Sequence, residues 1–337
     1  MTQFIYTCAP ESEIEARDEL KALETGIEAV RRLAPGVFLA RCEPSWKELA
    51  ARLVHRPPVW TRHVNPVSLR LPLRGDAGDL AALEAALPSV LMDLDTGLSF
   101  SIQTRLLGES RWAYSRFDVN ERLAAVAAGW GAALDVRAPD QALSVVCIPG
   151  EAFLGISLAA HNLSSWAGGE IRYRKEPERI SRAEFKLLEA LETFRVDFPK
   201  SGRALDLGAS PGGWTRLLLE HGLEVTAVDP AELDPRLSGH PGLRHIRARF
   251  EDARLSGPFD VVLNDMRLDA RDSARLMADA VSLAAPGALS VMTLKLPENR
   301  KALTAEAALR ILARDWNVLA ARQLFHNRNE VTVVLRR

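Results

Sequence analysis

The chain holds only three cysteines among its 337 residues, Cys8, Cys42 and Cys147, and they stand far apart and odd in number. That excludes a disulfide framework and a cysteine metal cluster, and it predicts reduced, partly buried thiols. The seven histidines form no His-x-x-x-His pair, so no metal site is expected. No segment approaches the roughly 18 uninterrupted apolar residues a membrane helix needs. Met1 to Thr7 lacks the basic flank and apolar run of a secretory leader. The expected location is therefore the cytoplasm. Charge of one sign is missing too: 43 basic side chains face 44 acidic ones. A uniformly basic coat for nucleic acid is excluded, so any polyanion site has to be a local patch. No heptad seam appears, which predicts a monomer.

What is present is an ordinary globular composition, 47% hydrophobic and 26% charged, with length for two or three domains. From about Ser181 strand and helix patterns alternate as in a doubly wound parallel sheet. Strands are predicted at 203–208, 224–229, 243–248, 259–264 and 288–295, helices at 213–221, 271–285 and 303–314, and a closing hairpin at 318–325 and 331–335. Ser181-Arg182-Ala183-Glu184 has the form of a capping box and opens a further helix that carries Lys186. The first half reads differently, with strands at 3–8 and 37–42 and helices at 11–24 and 45–55. Pro57-Pro58 and Pro66 mark a break. Beyond it come a helix at 79–91, a strand at 98–105, a helix at 118–134 and a hairpin around Pro149-Gly150. The predicted organisation is an α+β unit at 1–65, a second α+β unit at 66–160, a linker at 161–180 and an α/β domain at 181–337.

The most informative stretch is Asp206-Leu207-Gly208-Ala209-Ser210-Pro211-Gly212-Gly213-Trp214-Thr215, between a strand pattern and a helix pattern. Ligands of open α/β sheets bind at such turns. Gly208, Gly212 and Gly213 let backbone come close to a ligand, and Asp206 can orient the turn. Asp229 closes the next strand, where a carboxylate can hold both hydroxyls of a ribose. A dinucleotide site would show G-x-G-x-x-G, whereas Pro211 stands inside this turn. The pattern predicts a pocket for S-adenosylmethionine rather than for a pyrophosphate.

Four further residues stand where chemistry would need them: Lys186 before the sheet, Asp265 and Lys295 at strand ends, and Glu330 opening the last strand. Methyl transfer to a ribose hydroxyl needs a base. A lysine serves as one only if its pKa falls from about 10.4 toward roughly 7 to 8. Burial and neighbouring cations favour that, and carboxylates oppose it. The roles assigned are Lys295 as base, Lys186 as second cation, and Asp265 and Glu330 as orienting acids. The absence of cysteine after Cys147 argues against a thiol nucleophile in this half. Asn264-Asp265-Met266-Arg267 occupies the place where amino-group methyltransferases usually show Asn-Pro-Pro-Tyr. Oxygen methylation remains. Ahead of the domain, Ile171 to Arg182 holds five basic side chains, among them Arg174, Lys175 and Arg179, with Tyr173 as a stacking face; it reads as an RNA contact or as a solvated connection.

The glycine turn and the Lys-Asp-Lys-Glu set resemble the FtsJ-like RNA 2′-O-methyltransferases. Ser181-Arg182 with Lys186-Leu187, Leu294-Lys295-Leu296-Pro297, Ala321 to His326 and Glu330 to Val333 are similar to a bacterial branch that methylates a cytidine ribose of 23S rRNA. Leu134-Asp135-Val136 through Ala138-Pro139-Asp140, Leu143 to Cys147 and Leu154 to Ser157 look like a THUMP domain, an RNA-binding module, preceded by a ferredoxin-like unit. The resemblance implies a Rossmann-like class I methyltransferase domain behind these two, with Ser181, Ser210, Pro211, Gly212, Gly213, Asp229, Asp252 and Asp265 at the cofactor and RNA as partner. From spacing alone Asp252 is a loop acid. Two other readings stay open: a methyltransferase of tRNA, and a non-catalytic RNA-binding or ribosome assembly factor.

Overall fold

The computed structural model describes every residue except Thr25, Ser110 and Lys175. The chain divides into two compact units, Met1–Glu170 and Ile171–Arg337.

The first unit opens with β1 (Thr2–Cys8), α1 (Glu13–Leu23), β2 (Glu28–Ala34), β3 (Val37–Cys42), α2 (Trp46–His55) and β4 (Thr61–Val67). Its strands form an antiparallel sheet in the order β2-β3-β1-β4. Ser45 and Glu48 close a reciprocal capping box that starts α2. Two of these strands, β2 and β4, escape the sequence reading. β2 is largely exposed, with Arg31 and Arg32 in it, so it lacks an apolar signal. Pro66, read as a break, lies inside β4 opposite Phe4. β4 is an edge strand, where a missing N–H is tolerated.

The same unit continues with β5 (Leu69–Pro72), α3 (Gly78–Leu91), β6 (Phe100–Leu106), α4 (Arg116–Gly129), β7 (Gln141–Ile148) and β8 (Glu151–Leu158), in a sheet ordered β5-β8-β7-β6. Leu83, Leu87, Leu123, Leu143 and Leu154 belong to one core on a face of this sheet, while Val146 and Phe153 pack with Ile5 and Leu39 of the other sheet. Strand alternation explains the division, since successive side chains leave β7 on opposite faces. All three cysteines are free and fully buried; burial pushes the Cys8 and Cys147 thiols up to about 12.

The second unit holds α5 (Ala183–Phe194), β9 (Arg203–Leu207), α6 (Gly213–Glu220), β10 (Glu224–Val228), β11 (Leu243–Ile246), β12 (Phe259–Asn264), α7 (Ala270–Ala280), β13 (Ala284–Lys295), α8 (Lys301–Leu312), β14 (Asn317–Arg322) and β15 (Glu330–Arg336). The seven strands run β11-β10-β9-β12-β13-β15-β14. The first five pair in parallel, and β15 enters antiparallel between β13 and β14. From β9 the chain winds outward through β10 to β11, then returns to place β12 on the other side of β9. This reversal is where doubly wound sheets open a crevice at the carboxyl ends of their strands. The predicted α/β domain is therefore present, with every predicted strand and helix within a few residues of its place.

One local expectation fails. The Ser181 hydroxyl caps nothing: α5 begins after Arg182 with no side-chain cap. Glu184 instead reaches back, its Oε1 accepting from Ile180 N at 2.6 Å and Ser181 N at 3.3 Å. Half of the box forms, and the Ser181 hydroxyl is left over.

Candidate active site

The glycine turn leaves β9 and enters α6 beside the β9/β12 reversal. Gly208 has φ +74° and Gly212 φ +110°, conformations that favour glycine. A Cβ on Gly208 would lie 2.6 Å from Met266 Cγ, one on Gly212 2.4 Å from Leu237 Cδ1, and one on Gly213 2.4 Å from Ser181 Oγ. These glycines also let other chain segments close around the turn. Asp206 anchors α6 by accepting from Thr215 Oγ1 at 2.6 Å. Complete burial, with Asp265 and Asp229 near, pushes its carboxyl up to about 7.

Asp229 follows β10 as predicted, and its carboxylate accepts from Ser210 N at 3.0 Å and Ala231 N at 2.8 Å. Ser210 Oγ donates to the Glu232 carbonyl at 2.8 Å, and the Pro211 carbonyl accepts from Asp234 N at 2.8 Å. The loop after β10 is thereby tied to the turn. Ser181 Oγ is buried beside Gly213 and has no hydrogen-bond partner among the described residues. An orphaned hydroxyl at a rigid glycine turn fits a polar ligand that brings its own partner. Asp229 has lone pairs to spare for hydroxyls. The donor set suits S-adenosylmethionine. Asp252 lies on an exposed short turn beyond β11, and among the described residues no hydrogen bond or ion pair joins it to the other candidates.

The four charged candidates do converge. Lys295 ends β13 and faces Glu330, the first residue of β15, as its cross-strand partner. Asp265 follows β12, its N–H donating to the Leu207 carbonyl at 3.1 Å. Lys186 comes from α5. Lys295 Nζ contacts Asp265 Oδ1 and lies 3.3 Å from Glu330 Oε1. Lys186 Nζ lies 2.6 Å from Glu330 Oε2 and 3.6 Å from Asp265 Oδ1. Two cations and two anions thus alternate in one cluster, all four mostly buried. Burial raises the Asp265 carboxyl, but Lys295 and Lys186 outweigh it and hold the group below the usual carboxylate range.

Thr293 was missed. Its hydroxyl donates to Asp265 Oδ1, and Lys295 Nζ contacts it in turn. The two-residue strand period puts Thr293 and Lys295 on one face, which is the signal that could have found it. Glu184 was read only as a capping residue. It is fully buried, and its Oε2 accepts from Arg216 at 2.5 Å and lies 3.5 Å from Arg179.

The basic stretch before α5 is less open than its composition suggests. Arg179 turns inward over the Phe185 ring at 4.5 Å, and Tyr173 stacks on Phe185 at 5.7 Å while its hydroxyl donates to Glu192. The stacking face read in Tyr173 is spent inside the unit. Arg172, Arg174 and Arg182 remain exposed, and Lys175 lies outside the described residues.

Comparison with known proteins agrees with this geometry. Residues 179–302 match the model of the FtsJ-like methyltransferase family. The chain is 39% identical to the ribosomal RNA large subunit methyltransferase M of Laribacter hongkongensis over 51% of its own length and 52% of that protein. It is 28% identical to the enzyme of the same name from Xylella fastidiosa over 96% of its length and 94% of that protein. Among solved structures, TrmN from Thermus thermophilus aligns over 100% of both chains at 19% identity with a TM-score of 0.43. In its glycine turn, its strand order and residues 179–302, the second unit is similar to the FtsJ-like methyltransferases, whose methyl donor is S-adenosylmethionine.

Proposed function

We propose that the chain methylates the 2′-hydroxyl of a cytidine ribose in 23S rRNA. The observation that carries the reading is the cluster of Lys186, Asp265, Lys295 and Glu330 at the carboxyl edge of the sheet, beside the glycine turn. The curated relatives, named for methylation of large-subunit ribosomal RNA, support the substrate. S-adenosylmethionine, when bound, supplies an electrophilic methyl group on a sulfonium. Ser181, Ser210 to Gly213, Asp229, Asp252 and Asp265 are the residues assigned to hold it.

Lys295 takes the proton of the ribose hydroxyl as the oxygen becomes a nucleophile. Asp265 and Glu330 hold the Lys295 amine between them. Lys186 shares those two carboxylates, at 3.6 and 2.6 Å. Thr293 and Asp265 fix the direction of the Lys295 amine.

In the first unit, the β-α-β-β-α-β succession of 1–67 supports the ferredoxin-like reading, and β5 to β8 with their helices are assigned to the THUMP-like RNA-binding module. An rRNA substrate places the reaction in the cytoplasm, and the mechanism needs neither a metal nor a second copy. The test is transfer of tritiated methyl from S-adenosylmethionine to separate 23S rRNA, 16S rRNA and tRNA pools. Label should enter 23S rRNA alone, on a ribose, and the Lys295→Met variant should lose about 100-fold or more of the rate. Label in tRNA would overturn the substrate. Cofactor binding without label in any pool would favour a non-catalytic factor.

A further inference from the structure

Next to the charged cluster lies a second arrangement that the mechanism does not use. Glu189, on α5 one turn beyond Lys186, is almost fully buried. Its carboxylate accepts three hydrogen bonds from the loop between β14 and β15: Phe325 N at 2.6 Å, His326 N at 2.8 Å and His326 Nδ1 at 2.7 Å. The first two bonds hold the loop. The third does something different, since it places the hydrogen of the imidazole on Nδ1 and leaves Nε2 as the outward nitrogen.

The ring plane is fixed as well. Phe185 stacks on His326 at 5.2 Å, Tyr173 at 5.6 Å, and Phe325 meets it edge-on at 5.3 Å. The side chain keeps 19% of its surface exposed, and Nε2 has no hydrogen-bond partner among the described residues. Both ends of the arrangement connect to the charged cluster, because Phe185 precedes Lys186 on α5 and His326 stands four residues before Glu330. A loop anchor would need only the two backbone bonds. Three rings and a buried carboxylate aiming one imidazole nitrogen outward make a preorganised acceptor.

We infer that His326, oriented by Glu189, is a substrate-contacting residue that accepts a hydrogen bond from an N–H or O–H group of the RNA nucleotide next to the methylated ribose. This rests on the RNA reading above. In the neutral ring Nε2 is an acceptor, and RNA offers base amines and 2′-hydroxyls as donors. Glu189 is a positioning residue that acts through His326.

The test uses the full chain, 23S rRNA transcribed without modification, and two substitutions that separate the ring nitrogens. In His326→Asn the amide can still donate to Glu189, and the outward atom is gone. In His326→Gln the longer side chain carries a polar group to the Nε2 level. We expect His326→Asn to raise the KM for rRNA about tenfold, the loss of roughly one hydrogen bond to a group left unpaired. S-adenosylmethionine affinity and the thermal midpoint should stay unchanged, and His326→Gln should recover most of the KM. An unaltered KM in His326→Asn overturns the inference, as does a loss of cofactor affinity or midpoint parallel to the loss of activity. Wild-type protein that leaves rRNA unlabelled refutes the substrate reading itself and this inference with it. Once the target is mapped, fragments with a 2′-deoxy nucleotide on either side of it identify the donor. A KM raised to the His326→Asn level marks a ribose hydroxyl, and an unchanged one marks a base amine.

Discussion

Asp206 shows how one buried carboxyl makes stability depend on pH. Its ordinary value of 3.8 is raised to about 7, first by burial and then by the charges of Asp265 and Asp229. Below about pH 4 the folded and unfolded chains both keep the proton. Between there and about 7 the unfolded chain has lost it and the folded chain has not, so stability falls as pH rises. Above that window the penalty is constant. Asp206→Asn keeps the shape and a group for Thr215 and removes the titration. Relative to wild type, the variant should therefore gain about 3 kcal/mol between pH 5 and pH 8. Urea denaturation of both proteins at the two pH values measures this, and a pH-independent difference would show that Asp206 ionises alike in both states. Asp265, at the end of the adjacent strand β12, carries the same burial penalty but goes the opposite way because two lysines face it. Chain spacing marks both as strand-end acids, and only the packing tells which keeps its proton.

Helices α5 and α6 are joined through Glu184, and this joint sets where Lys186 and Ser181 stand. Glu184 holds the backbone at Ile180 and Ser181, and it accepts from Arg216 on α6. Removing one partner of a buried pair costs about 3 kcal/mol, and Arg216 would keep only its contact with the exposed Glu220. Glu184→Gln should lose about that much stability by urea denaturation and weaken S-adenosylmethionine binding, while the Glu184→Gln/Arg216→Met double variant should lose less than the two single losses combined. Strictly additive losses would disprove the coupling. The legible parts of this unit are the ones with period or punctuation. The parallel strands read as short apolar runs, and the glycine turn announces itself between strand and helix. The pairing of Lys295 with Glu330 follows once β13 and β15 are adjacent. What stayed hidden depends on contacts distant in sequence: Glu184 with Arg216, and Glu189 with His326 across 137 residues. In the first unit β2 was missed because its side chains are exposed, and β4 because Pro66 looks like a stop.

The division of the chain at Glu170 and Ile171 separates chemistry from the remaining surface. Every residue assigned to the cofactor and to the charged cluster falls after it, and the second unit has its own core of Leu187, Leu218, Val261, Leu263 and Val291. Such a unit meets a condition for folding alone, a hydrophobic core of its own. The chain carries a net charge of only −1, so RNA affinity must come from local contacts, and the exposed arginines ahead of α5 are a small set. If the first unit supplies most of those contacts, a fragment of residues 171–337 should unfold cooperatively and bind S-adenosylmethionine within about threefold of the full chain's affinity. Its kcat/KM for 23S rRNA should nevertheless fall by about 100-fold or more, since a loss of roughly 3 kcal/mol of binding has that effect. Calorimetry with the cofactor and methyl transfer to rRNA give the two numbers. A fragment that methylates as well as the full chain would put the RNA contacts in the second unit. One that folds but binds the cofactor more than tenfold worse would show that the cofactor site draws on the first.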